Sequence, residues 1–186
     1  VSDAGPEAPT WNLLITSLEG QRDALRAELR PLVRLRRSGY PNVLIAAVPD
    51  PGAVLEQLRA AYEASAGLRA SLGKAIPIER RFHFAGAPAF VDAVERELEP
   101  SLARLEGATF FVRVVRRGLR GALGTTDAER EIGARVVRAL EARGRPPRVR
   151  FDDPDVIVLV ETIRDEAGLA LLPRTLRAAF PFVRVR

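Results

Sequence analysis

RVRFDDPDVIVLVET, residues 148–162, decides the fold. Five apolar residues, Val156 to Val160, follow an acidic turn at Asp152-Asp153-Pro154-Asp155. Pro154 ends pairing because it has no N–H, and Asp152 or Asp153 is placed to cap the turn through a side-chain oxygen. An unbroken run of strand length in place of an alternating one predicts a strand buried on both faces. Hard cations take several carboxylates, but turn chemistry already accounts for Asp152, Asp153 and Asp155, so a metal site is the lesser reading.

Upstream, ATFFVRVVRRG (108–118) reads as a strand ending in two arginines, and GLRGALG (118–124) as a glycine-rich loop. A helix follows over TTDAEREIGARVVRALEARG (125–144). Thr126 and Glu129 fit a capping box, and Gly144 fits the C-terminal stop. Ile132, Val136, Ala139 and Leu140 form its apolar stripe, with Arg130 and Arg138 on the outer face. APAFVDAVERELEPSLARLEG (87–107) is helical in pattern, broken by Pro100. AGLALLP (167–173) reads as a further strand and TLRAAF (175–180) as a last helical turn. The order is α-α-β-α-β-β with a short tail.

FFVRVVRRG, TTDAEREIGARVV and RVRFDDPDVIVLVET, in this order and spacing, resemble the THUMP domain family. That family pairs an F-x-V-R-x-x-R strand with a helix carrying R-E-I-G, and closes with a strand introduced by N-P-D and ending in V-E. Arg130-Glu131-Ile132-Gly133 and Pro154-Asp155…Val160-Glu161 match, with Asp153 where Asn is usual. The resemblance covers about 87–172 and implies binding to structured RNA, chiefly the acceptor-stem region of tRNA, on behalf of a modification enzyme. Among stand-alone relatives the analogy is with the adaptor that presents tRNA to an RNA cytidine acetyltransferase.

The residues make physical sense of an RNA partner on their own. Residues 113–150 hold 11 Arg against 4 acidic residues, whereas residues 1–107 are near neutral, with 13 Arg and Lys against 14 Asp and Glu. Having 28 Arg to one Lys reflects a bias of choice, but bias does not explain clustering. The expected phosphate contacts are Arg113, Arg116, Arg117, Arg120, Arg130, Arg138, Arg145, Arg148 and Arg150. Arg116, Arg117 and Arg120 leave a strand into the glycine loop, where backbone N–H groups and guanidinium forks suit phosphate oxygens. The helix N-terminus just beyond adds partial positive charge. Such a surface reads shape and backbone rather than sequence.

The first part of the chain reads as a separate unit. WNLLITSL (11–18) is a strand, and QRDALRAELRPLV (21–33) a helix with Arg22, Arg26 and Arg30 on a solvated face. LVRLRRS (32–38) and PNVLIAAV (41–48) are strands around Gly39-Tyr40-Pro41. DPGAVLEQLRAAYEA (50–64) is a helix with Asp50 as N-cap and Pro51 at its first position. After a softer stretch, IPIERRFHF (76–84) closes a β-α-β-β-α-β, ferredoxin-like antiparallel sheet with both helices on one face. The expected organisation is therefore α+β: a disordered lead-in at 1–10, a ferredoxin-like domain at 11–84, serving as a spacer, and a THUMP domain at 85–186. Preceding a THUMP domain with a ferredoxin-like unit is common in the family.

Other features exclude chemistry. There is no Cys, hence no disulfide, thiolate zinc site or cysteine nucleophile. A zinc deaminase and a thiouridine synthetase both need cysteine, and a methyltransferase needs a cofactor domain for which no residues remain. GLRGALG has glycines at i, i+3 and i+6 and is no dinucleotide fingerprint. His83 is the one histidine and is expected beside Arg81 on a polar face, opposite Phe82 and Phe84. Trp11, Phe110 and Phe111 are expected in the core and Lys74 in solvent. The reading is a cytoplasmic, non-catalytic RNA-binding protein with no cofactor, no small-molecule substrate and no membrane contact, its tRNA-modifying enzyme supplied in trans. Two alternatives stand: the RNA-binding half of a larger thiolation or methylation enzyme, and a protein-interaction module whose arginines are incidental. Salt dependence of RNA binding separates the last from the others.

Overall fold

The computed structural model describes residues 11–185, so the lead-in expected at 1–10 lies outside the described residues. The chain divides into two compact units, residues 1–78 and 79–186. In the first, β1 (Leu13–Ser17), β2 (Arg36–Arg37), β3 (Val43–Ala46) and β4 (Leu72–Pro77) form a sheet of order β2-β3-β1-β4. Every neighbouring pair is antiparallel, as the ferredoxin-like reading requires. The helix α1 (Arg22–Leu29) buries Leu25 and Leu29, and α2 (Pro51–Ala64) buries Val54, Leu55 and Leu58. Asp50 caps α2 by accepting a hydrogen bond from the Ala53 N–H at 3.1 Å. The stretch read as soft forms α3 (Ala66–Ser71) and the start of β4. Ser65 ends α2 with its backbone N–H, which donates to the Ala61 carbonyl, and caps α3 with its hydroxyl, which accepts from the Leu68 N–H. Lys74, expected in solvent, is buried in β4.

The segment read as one strand over 76–84 serves two sheets. Ile78 donates its N–H to the Asn12 carbonyl, and Glu79 donates to Leu169. β5 (Arg80–His83) then pairs with β9 (Glu166–Pro173) in the second unit. The boundary therefore falls after Ile78, not after Phe84. Alternation reports that a stretch is extended and which side chains share a face, and it carries no information about the partner strand.

The second unit continues with α4 (Phe90–Leu98), β6 (Thr109–Val115), α5 (Thr125–Glu141), β7 (Arg148–Val149), β8 (Val156–Ile163), β9 and α6 (Arg174–Ala179). Pro100 breaks the helical stretch as expected, leaving a 3₁₀ segment at Glu99–Leu105. The sheet order is β5-β9-β8-β6-β7. β6 runs parallel to both β7 and β8, which the α5 crossover makes possible, while β8 and β9 form a hairpin. The central strand β8 is buried at every position, as its unbroken apolar run predicts. Phe82, Phe90, Phe110, Val136, Val158 and Leu169 belong to a single core.

Candidate nucleic-acid interface

The interface is built on β6, α5 and β7. β6 ends in Arg116 and Arg117, and the following loop turns through Gly118 (φ 95°), Leu119 (φ 53°) and Gly121 (φ 77°). Arg116 lies inside that loop, donating to the carbonyls of Leu119 at 3.0 Å and Leu123 at 3.2 Å. The Arg117 guanidinium bonds the carboxylate of Glu161, a residue with no solvent exposure. Its backbone is held too, since the Arg117 N–H donates to Thr162 Oγ1 at 2.8 Å. Of the expected phosphate contacts Arg116, Arg117 and Arg120, Arg116 and Arg117 thus have guanidinium donors engaged within the protein. A carboxylate inside β8 requires a counter-charge, and Arg117 is the neighbour that supplies it. Only Arg120 of the three is exposed and without an ion pair among the described residues.

The N-terminus of α5 differs from the sequence reading as well. Gly124 is its N-cap, and no side chain caps it. Glu129 instead accepts from the Val114 N–H at 2.8 Å, with Arg113 at 3.6 Å. β7 accompanies β6 only at Thr109 and Phe110, so the outward N–H of Val114 has no strand partner on that side. The expected C-terminal stop holds, with Gly144 at φ 71°. Of the expected stripe, Ile132, Val136 and Leu140 are buried and Ala139 is half-buried.

Arg135 lashes α5 to α4, reaching Asp92 at 2.7 Å, Glu95 at 2.6 Å and Glu131 at 2.8 Å. Its hydrogen bonds, led by the one to Glu131, raise its pKa, and the same bond lowers that of Glu131. On the outer face, Arg130 and Arg138 are exposed beside Asp127 at 3.3 Å and Glu131 at 3.6 Å.

β7 and its continuation contribute the rest. Arg148 and Arg150 are exposed and have no ion pair among the described residues, while Arg145 lies 3.9 Å from Glu106. Val149 and Phe151 alternate with them and are 52% and 76% exposed. The Phe151 ring packs on Phe111 at 5.8 Å, and the Arg113 guanidinium lies 5.7 Å from the same Phe111 ring. Together these elements enclose a groove of about 590 Å³ along the open edge of β6, lined by Phe111, Val137, Val149 and Phe151 with Arg130 and Arg138. The sequence reading missed Val149 and Phe151. The signal was available, because RVRF alternates apolar residues with arginine in a strand too short to bury them.

The acidic turn has a structural role. Asp155, not Asp152 or Asp153, does the capping: it accepts from Thr109 Oγ1 at 2.6 Å and the Thr109 N–H at 2.8 Å, pinning the start of β6. These bonds, hydroxyl first, hold its pKa below the usual carboxylate value. Asp153 takes φ 39°, a region that Asn and Asp tolerate better than most residues. Arg174 lies 3.1 Å from Asp153 and 3.4 Å from Asp155. Burial lowers the pKa of Arg177, which bonds the Pro154 carbonyl. His83 is exposed, 3.5 Å from Glu166, while Trp11, Phe110 and Phe111 are buried, each as expected.

Residues 88–172 match the THUMP domain family. The fold is shared with three solved structures. TrmN from Thermus thermophilus has a TM-score of 0.61 and 23% identity, covering 87% of this chain and 45% of its own. PH1313 from Pyrococcus horikoshii Ot3 has a TM-score of 0.62 and 12% identity, covering 87% and 54%. A 4-thiouridine synthetase in complex with RNA and ATP has a TM-score of 0.53 and 14% identity, covering 87% and 41%. The chain thus spans about half the length of the structures it resembles. A comparison with curated proteins returned no match.

Proposed function

We propose, from the premise that residues 88–172 are a THUMP domain, that this chain binds RNA, specifically the acceptor-stem region of tRNA, and presents it to a tRNA-modifying enzyme acting in trans. The observation that carries the reading is the surface around β7. Arg148 and Arg150 are exposed and have no ion pair among the described residues, and they alternate along the chain with exposed Val149 and Phe151. Unpaired arginines suit phosphate oxygens, and an exposed aromatic offers a face to an unstacked base. Arg113, Arg120, Arg130, Arg138 and Arg145 extend the positive surface, and Arg116 and Arg117 join it while also bonding within the fold. The likeness to a 4-thiouridine synthetase solved with RNA supports a nucleic-acid partner.

The chain is proposed to be non-catalytic. It has no cysteine, and its one histidine is exposed beside Glu166 with no nucleophile paired to it among the described residues. By analogy with stand-alone relatives, the partner is a cytidine acetyltransferase. A second reading, the RNA-binding half of a larger thiolation or methylation enzyme, is favoured by the 41% and 45% coverage of the longer chains.

The test is tRNA binding by the full chain and by Arg148→Glu/Arg150→Glu across a salt series. Each lost phosphate contact removes about 0.7–0.9 from the slope of log affinity against log salt. The variant is expected to bind at least about tenfold more weakly, with a slope shallower by about 1.5. Equal affinity and slope in a folded variant would overturn the assignment of this surface.

A further inference from the structure

β7 covers only the start of β6. Arg148 and Arg150 donate their N–H groups to the carbonyls of Ala108 and Phe110, and among the described residues no strand continues the pairing. Alternation turns the backbone groups of Val112 and Val114 to that same side. The Val114 N–H is taken there by Glu129. The Val112 N–H and carbonyl have no backbone partner on this side among the described residues. Val112 lines the groove of about 590 Å³ that runs between this edge and α5.

The helix wall of the groove is built from small residues. Gly133 and Ala134 line it, with Val137 one turn further on. Glycine is among the least favourable residues inside a helix, and packing does not demand one here. A Cβ at Gly133 would meet the Val112 Cγ2 methyl at 3.9 Å, an ordinary contact. Its absence gives the groove depth at some cost to the helix. On the other wall, Val149 and Phe151 are two of the three large apolar side chains that the described residues leave exposed. Apolar surface beside an unpaired strand edge is a place for another chain to pair. Arg130 and Arg138 complete the lining. Their ion pairs with Asp127 and Glu131 are solvent-exposed and weak, so both keep charge to offer a partner.

We propose that this groove docks an extended peptide segment of a partner protein, added to β6 as a strand beside Val112. The segment buries apolar side chains at alternate positions and presents acidic ones to Arg130 and Arg138. In strand addition, main-chain hydrogen bonds give affinity and pockets for alternate side chains give selectivity. A second copy of this chain fits poorly, because two-fold pairing of β6 edges sets the same arginines against each other. A nucleic acid carries no peptide backbone to continue the ladder, and its phosphates gain nothing from apolar walls. The proposal does not depend on the RNA reading, which rests on Arg148 and Arg150; neither lines the groove.

The experiment selects binders of the full chain from a displayed library of random peptides of about six residues, a usual strand length. The selected peptide is then synthesised and its affinity measured by fluorescence anisotropy. Selected sequences are expected to alternate apolar and acidic residues. Gly133→Leu fills the groove and Ala134→Glu repels an acidic strand, and each is expected to weaken the peptide about tenfold or more. Ala134 is exposed, so if Gly133→Leu unfolds, Ala134→Glu carries the test. Amide exchange followed by NMR gives a second readout: the Val112 N–H is expected to slow when the peptide binds. Contacts through side chains alone would leave that amide unchanged. The proposal is overturned if no peptide is selected, if the selected peptides bind folded variants as tightly as the wild type, or if the Val112 amide does not respond. tRNA is run in parallel. Slowing of Val112 by tRNA and by no peptide assigns the groove to RNA and also overturns the proposal. The two readings separate: a Gly133→Leu protein that loses the peptide and keeps tRNA supports the groove, whereas a wild type that binds the peptide and ignores tRNA sinks the RNA reading alone.

Discussion

Glu161 sits in the middle of the most buried strand of the second unit, and its partner Arg117 has a side chain only 14% exposed. Breaking such a pair from one side leaves a desolvated charge, which typically costs about 3–5 kcal/mol. Glu161→Ala is expected to lose about 3 kcal/mol in urea denaturation, and Glu161→Ala/Arg117→Ala less than the sum of the two single losses. An additive pair would mean that the two groups do not stabilise each other. Charge reversal at Arg117 therefore reports folding before it reports RNA binding. At Asp155, the Thr109 hydroxyl and N–H favour the carboxylate and lower its pKa in the folded protein. A lowered folded value contributes stability that is present above the unfolded pKa of about 3.9 and is lost as pH falls through the folded value. Asp155→Asn is accordingly expected to melt below the wild type at pH about 7, with the gap closing as pH falls through the lowered folded value. A gap that persists undiminished into acid would show that the charge plays no part. At this scale the sequence located the turn but not its capping residue. Four neighbouring positions offer three carboxylates, and only the three-dimensional course of β6 selects the one that meets Thr109.

Helix α5 shows how one residue can serve an element other than its own. Thr126 and Glu129 have the spacing of a capping box, yet Glu129 leaves the helix and satisfies the Val114 N–H of β6. Strand pairing explains the choice. β7 is two residues long, so β6 presents unpaired backbone beyond Phe110, and a carboxylate from the helix alongside is the available acceptor. Glu129→Ala removes that acceptor and is expected to cost about 1–3 kcal/mol. Glu129→Gln keeps an amide oxygen in place and is expected to cost less, with urea denaturation of both variants as the measurement. Equal loss in the two would indicate that the charge beside Arg113, not the hydrogen bond, matters. The stop at Gly144, the break at Pro100 and the buried run of β8 were all legible, because each depends on local chemistry or on periodicity. The short β7 was legible only as a strand. Its failure to cover the rest of β6, which opens the groove and leaves Phe151 in solvent, depends on how far two chain segments run together.

The handover between the two units sets what can be cut from the chain without damage. Residues 76–84 read as one strand, but β4 ends at Pro77, β5 begins at Arg80, and the backbone changes sheets between Ile78 and Glu79. β5 lies at the edge of the second sheet, and Phe82 and Phe84, 6% and 5% exposed, belong to that unit's core. Phe84 also packs edge-on against Phe90 at 5.0 Å. A fragment starting at residue 85, where the sequence alone would place the boundary, loses both rings and uncovers the edge of β9. Each lost phenyl ring costs about 1.5–3 kcal/mol of burial, a large share of the roughly 5–15 kcal/mol that holds a domain folded. The fragment 79–186 keeps them and is expected to unfold in one cooperative transition. The fragment 85–186 is expected to melt at least about 10 °C lower, or to lack a transition, because a loss of about 1 kcal/mol shifts Tm by about 4–8 °C in a domain of this size. Calorimetry of the two fragments decides it. Equal melting temperatures would mean that β5 is dispensable to the second unit, and would restore the boundary read from the sequence.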